Sequence, residues 1–120
     1  MTVDIINDST SAAKLAVDAL KDKKGEDVRI IDISEISTIA DYFIIASGSN
    51  PSQVQAMADN VDEKLAACGR FPGHTEGYNG ASWILIDYGD VVVHIFSKED
   101  RSFYDLERIW RDGKEVSDLG

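Results

Sequence analysis

Between Ala81 and Phe96 two runs rich in β-branched and aromatic residues, Ala81–Tyr88 and Asp90–Phe96, meet at Gly89-Asp90, read as a two-residue turn. A glycine at the first central position suits the second mirror-type two-residue turn, because it reaches positive φ without a side-chain clash. That turn sets the register. Tyr88 faces Val91, Ile86 faces Val93 and Ile84 faces Ile95, giving one almost wholly aliphatic face. The other face pairs Asp87 with Val92, Leu85 with His94, and Trp83 with Phe96. Aromatic rings beside a histidine and a carboxylate make the composition of a binding patch. The same residues also suit a sheet covered on both sides, with Trp83 and Phe96 under a helix and His94 paired to Asp87 in the interior. A one-residue slip in the turn would re-pair the strands but leave Trp83 and Leu85 on one face.

The rest of the chain supplies partners for this hairpin. From Ser9 to about Lys23, Ala12, Ala13, Leu15, Ala16, Ala19 and Leu20 recur at helical spacing, with Ser9, Thr10 or Ser11 as candidate caps and Gly25 as the stop. Asp27–Ile33 and Asp41–Ser47 read as strands, the first apolar on both faces. Pro51 opens a second helix capped by Ser49 or Asn50, which carries Val54, Met57, Ala58, Val61 and Leu65 and stops near Cys68-Gly69. Residues 70–80 are glycine-rich loop with room for one short edge strand, which leaves His74 in a loop. A short helix is expected from about Lys98 to Leu106, and residues 107–120 trail off in charges. Phe103, Tyr104, Leu106, Ile109 and Trp110 cluster there, some for the core and some suited to an interface. This order predicts an α/β fold: a single domain over residues 1–120, with a mixed sheet of about five strands and flanking helices.

Composition narrows the partners. The 120 residues are 43% hydrophobic and 28% charged, ordinary values for a globular domain that can bury a core. Twelve Lys and Arg against 22 Asp and Glu give a net charge of −10, which disfavours direct nucleic-acid binding and favours basic protein partners. No apolar run is long enough to cross a bilayer, and Met1-Thr2-Val3-Asp4 does not open a secretory leader, so the expected location is the cytoplasm. One cysteine and two histidines offer neither a disulfide nor a zinc set, and no metal or cofactor is expected.

Catalytic templates fit poorly. Gly48-Ser49-Asn50 lies between a strand and a helix, where backbone N–H groups can hold an anion, but it lacks the lysine and spacing of a phosphate-binding loop. Asp87 and Asp90 straddle a turn and cannot share a metal ion as paired carboxylates on one strand would. Cys68 sits at a helix C-terminus, where the dipole disfavours a thiolate. No catalytic residue is assigned. The rival reading is a nucleotide-binding or nucleotidyl-transferring enzyme using the Gly48–Asn50 turn.

Two long runs resemble a known family. Ala40-Asp41-Tyr42-Phe43-Ile44-Ile45-Ala46-Ser47-Gly48 with Gln53-Val54, and Trp83 through Phe96 continuing to Arg101, Phe103-Tyr104, Leu106-Glu107 and Trp110, resemble the signatures of the Iojap-like family, the bacterial ribosomal silencing factors. The likeness covers about residues 9–112, while the loop at 71–80 and the acidic ending are particular to this chain. It implies a fold related to nucleotidyltransferases without their catalytic carboxylates, and no enzymatic activity. It implies binding to the large ribosomal subunit through ribosomal protein L-fourteen, blocking the small subunit and lowering translation when nutrients are scarce. Family members are often homodimers. By this resemblance Trp83, Leu85, Asp87 and Tyr88 are placed in the contact, with Asp90, His94 and Phe96 beside them.

Overall fold

The computed structural model describes residues 8–38, 40–99 and 114–116. Its elements are α1 (Ser9–Asp22), β1 (Glu26–Asp32), β2 (Tyr42–Gly48), α2 (Pro51–Ala66), β3 (His74–Glu76), β4 (Trp83–Asp87), β5 (Val91–Ser97) and β6 (Lys114–Val116). The strands form one mixed sheet in the order β3-β4-β5-β2-β1-β6. β2 and β5 run parallel at its centre, and every other pairing is antiparallel. Among the described residues no helix is long and apolar enough to cross a membrane.

The two helices among the described residues, α1 and α2, pack on one face. Alanines at 12, 13, 16 and 19 give α1 a flat inner surface that lets it lie close to α2, and all four are buried. The buried Asn60 locks the pair by donating to the Ala19 carbonyl at 2.8 Å. Val54, Met57, Val61 and Leu65 of α2 join Leu20 of α1 over the aliphatic layer of Ile44, Ile84, Val93 and Ile95. A smaller cluster of Ile31, Ile33, Ala40, Ile45 and Phe96 forms on the opposite face.

The local signals hold, with corrections at the ends. Gly89 adopts φ +91°, and the β4–β5 register is the expected one, with Trp83 opposite Phe96 and Asp87 opposite Val92. α1 is capped by Asp8, whose carboxylate accepts from the Ser11 N–H at 2.8 Å, rather than by Ser9, Thr10 or Ser11. Asn50, rather than Ser49, caps α2 by accepting from the Gln53 N–H at 2.8 Å. The possible edge strand in the glycine-rich loop is β3, so His74 is a strand residue. The sheet has six strands, because part of the supposed charged tail adds β6 against β1. Lys98 and Glu99 form a turn, and the rest of the expected last helix, with Phe103 through Trp110, lies outside the described residues.

Candidate functional site: the sheet face opposite the helices

Period-two alternation sends every second residue of β2, β4 and β5 away from the helices. Adjacent registers gather Phe43 and Ile45, Trp83, Leu85 and Asp87, and Val92, His94 and Phe96 on this one face. Phe96 is fully buried and His94 is 4% exposed, whereas Trp83, Leu85, Asp87, Phe43 and Val92 are half-buried. The face thus has a buried floor of Phe96, His94 and Ile45 beneath a partly exposed upper layer. It answers to neither sequence alternative in full.

The aromatic rings are packed in a fixed order. The Trp83 indole stacks on Phe96 with centroids 5.2 Å apart, and Phe43 meets the His94 ring edge-on at 4.9 Å. The His94–Asp87 hydrogen bond of the covered-sheet alternative does not form. Instead the Trp83 indole N–H donates to His94 Nδ1 at 3.1 Å, and Asp87 turns its carboxylate to the Gly89 N–H at 2.7 Å. Both Trp83 and Asp87 are diagonal neighbours of His94 across the β4–β5 pair, and the longer indole reaches it. Because Nδ1 accepts, the ring proton of neutral His94 resides on Nε2, a buried atom with no hydrogen-bond partner among the described residues. Burial pushes the His94 pKa down to about 4, with the Asp87 charge opposing the shift, so the ring is neutral at pH 7.

Two of the sequence-assigned residues sit elsewhere. Tyr88 lies beyond the end of β4 and packs on the helix-side core, where burial raises its phenol pKa above the ordinary tyrosine value. Asp90 holds the sheet end together: its carboxylate pairs with Arg70, and its carbonyl accepts from the Asp41 N–H at 2.7 Å. Phe43 shares the face with Trp83 unforeseen by the sequence, and Val92, already paired there with Asp87, joins the partly exposed layer without having been assigned to the contact. The alternation of the second strand contains Phe43, but its face becomes readable only once β2 is known to lie beside β5.

The turn after β2 serves packing and capping. A Cβ on Gly48 would stand 2.8 Å from Val54 Cγ2 and 3.2 Å from Met57 Sδ, so glycine lets α2 seat against the strand end. The Ser49 N–H is taken by Gln53 Oε1 at 2.6 Å, and the Gln53 amide nitrogen reaches the Lys23 and Lys24 carbonyls at 3.1 and 3.0 Å. One side chain thus closes the start of α2 and the end of α1. The adjoining cleft of ≈ 260 Å³ is lined by Ser49, Asn50, Ser82, Ser97 and Glu99 among others, with no cationic side chain among the described residues that line it. Its carboxylate and its occupied N–H groups oppose a nucleotide phosphate. Among the described residues no group of three or more His, Cys, Asp or Glu could hold a metal ion.

Residues 6–120 match the sequence model of a family described as "Ribosomal silencing factor during starvation". The Bacillus subtilis (strain 168) protein named Ribosomal silencing factor RsfS is 43% identical over 102 residues, covering 85% of this chain and 86% of that protein. The chloroplastic Iojap protein of Zea mays is 29% identical over 105 residues, 82% of this chain and 42% of that longer protein. A crystal structure of a Chromobacterium violaceum protein superposes with TM-score 0.82 and 34% identity, covering 100% of this chain and 95% of that one.

Proposed function

The chain belongs to the ribosomal silencing factor family, and from that premise of a ribosome-associated regulatory role we propose that it silences by occlusion. In this reading it docks on the large subunit through ribosomal protein L-fourteen and stands where the small subunit would join, lowering translation when nutrients are scarce. The observation that carries the reading is the half-buried layer of Trp83, Leu85, Phe43 and Val92 around Asp87, on the sheet face opposite α1 and α2. Rigid aromatic anchors beside a carboxylate, on a domain of net charge −10, suit a basic ribosomal protein. Phe96 and His94 form the floor that holds these anchors, while Tyr88 and Asp90 support the strand ends. Occlusion requires a rigid body at the docking surface and no chemical step.

The test is a reconstitution. Separated large subunits are mixed with the protein, small subunits are added, and a density gradient resolves joined from free particles. Co-migration with the large subunit together with loss of joined ribosomes is the expected result. Absence of binding at low salt, with the protein folded, would defeat the proposal.

A further inference from the structure

His94 occupies the centre of the proposed docking face, but it is too deeply buried to make the contact itself. An aliphatic or aromatic residue would fill this position, between Leu85 and Ile45 in register and beside Phe43 and Phe96, without leaving a polar atom unmet. Imidazole leaves one. Its Nε2–H is buried without a partner among the described residues, an arrangement that lowers stability relative to an apolar ring of similar shape. What imidazole provides that an apolar ring cannot is an acceptor at Nδ1, and that acceptor receives the Trp83 indole N–H at 3.1 Å. With Phe96 stacked at 5.2 Å on the indole, the hydrogen bond fixes the rotation of the largest side chain on the face.

We infer that His94 is a positioning residue for partner binding: as the Nε2–H tautomer it holds the Trp83 indole in one orientation through Nδ1, and the fold accepts an unmet buried N–H in exchange. A side chain already held in its bound geometry loses less entropy on association, which tightens binding without adding a contact. The inference rests on the docking reading above and specifies how that surface is organised.

The distinguishing signature is stability and affinity moving in opposite directions. His94→Phe keeps a ring but removes both nitrogens. It is expected to unfold at the same or a higher temperature and to let the Trp83 indole proton exchange faster with solvent. It should also bind large subunits about tenfold more weakly, the loss that corresponds to about one hydrogen bond's worth of pre-organisation. His94→Gln, which restores an acceptor, should recover much of the affinity. In a Trp83→Phe background, which has no indole N–H, His94→Phe should cause no further loss. Nitrogen chemical shifts of wild-type His94 give a readout independent of any variant's folding, and the Nε2–H pattern is expected.

An Nδ1–H pattern would overturn the inference, as would unchanged affinity in His94→Phe when Trp83→Ala impairs binding. Equal losses with and without the indole N–H would also overturn it, since His94 would then act through something other than Trp83. If Trp83→Ala itself leaves large-subunit binding intact, the docking surface fails, and pre-organisation for that contact fails with it. The exchange and chemical-shift data would still report the hydrogen bond separately.

Discussion

The two faces of the sheet are made by alternate residues of the same strands, yet they follow different chemistry. Toward the helices stand Ile44, Ile84, Val93 and Ile95, each fully buried, branched and without a polar side-chain atom. One residue away along the chain stand Phe43, Trp83, His94 and Phe96, where Trp83 and His94 share a ring-to-ring hydrogen bond and the His94 Nε2–H has no partner among the described residues. The helix-side layer asks nothing of its surroundings except close packing. The opposite layer keeps Phe43, Trp83, Leu85, Asp87 and Val92 partly exposed above its buried floor. In the proposed reading the helix-side layer serves mainly stability and the opposite layer serves docking as well, because a strand's period of two lets neighbouring residues serve separate ends.

The largest effect that tests this division belongs to the helix-side layer. Ile44→Ala should destabilise the domain by about 3 to 4 kcal/mol through lost burial and a cavity beneath the helices, measured by urea unfolding. Protein that remains folded should bind large subunits normally. A loss below about 1 kcal/mol would mean that the layer relaxes around the deletion, and the contrast between faces would weaken.

Acid provides the next largest effect, this time on the proposed docking face. His94 titrates at about 4 in the folded protein and near 6.5 when unfolded. Between those values the unfolded chain binds more protons, so stability falls as pH drops through the window. The loss approaches about 3 kcal/mol near pH 4 and then levels off. Asp87 is the charged group acting on His94, and it moderates the shift. Asp8 and Asp32 have pKa values lowered by hydrogen bonds to Ser11 and Ser34, so their contributions are lost only as pH falls below the ordinary aspartate value of 3.8. Unfolding wild type and His94→Phe from pH 7 to 4 isolates the histidine. Parallel curves would show that His94 is not held neutral by burial.

Trp83→Ala is expected to weaken large-subunit binding by about 2 kcal/mol while the domain stays folded, since a half-buried tryptophan suits an anchor. Titration of labelled subunits measures the first, and thermal unfolding the second. Collapse of the fold would move Trp83 from the recognition face into the core, and the two faces would then be alike in purpose.

The hairpin and its face contrast are legible in the sequence because a two-residue turn fixes register locally, and Gly89 bears the positive φ that such a turn demands. β6 is not legible. Lys114-Glu115-Val116 shows no apolar alternation, and it is held by backbone pairing to β1 and by ion pairs from Lys114 to Glu35 and from Glu115 to Arg29. Those partners lie 79 and 86 residues away, where no local pattern points. The site is legible as a set of residues but not as a network. Strand pairing puts Leu85 directly opposite His94 and leaves Trp83 and Asp87 equally diagonal to it. Side-chain reach and the competing Gly89 N–H decide between them, and both are three-dimensional facts.

The smallest effect concerns Asp87, whose half-buried carboxylate at the end of β4 has two separable roles. It accepts from the Gly89 N–H at 2.7 Å, which supports the hairpin turn, and it carries charge on the proposed docking face. Asp87→Asn keeps an amide oxygen for the turn and removes the charge. Against a basic partner it should weaken binding by about 1 kcal/mol or less, chiefly through slower association, with reduced sensitivity to salt. Asp87→Lys reverses the charge and also removes the turn acceptor, so it should lose more affinity together with some stability. Association rates measured across a salt series separate these contributions: the Asn variant should differ from wild type most at low salt and converge with it at high salt. Identical salt dependence for wild type and Asp87→Asn would confine Asp87 to the turn and leave the docking face to its apolar residues.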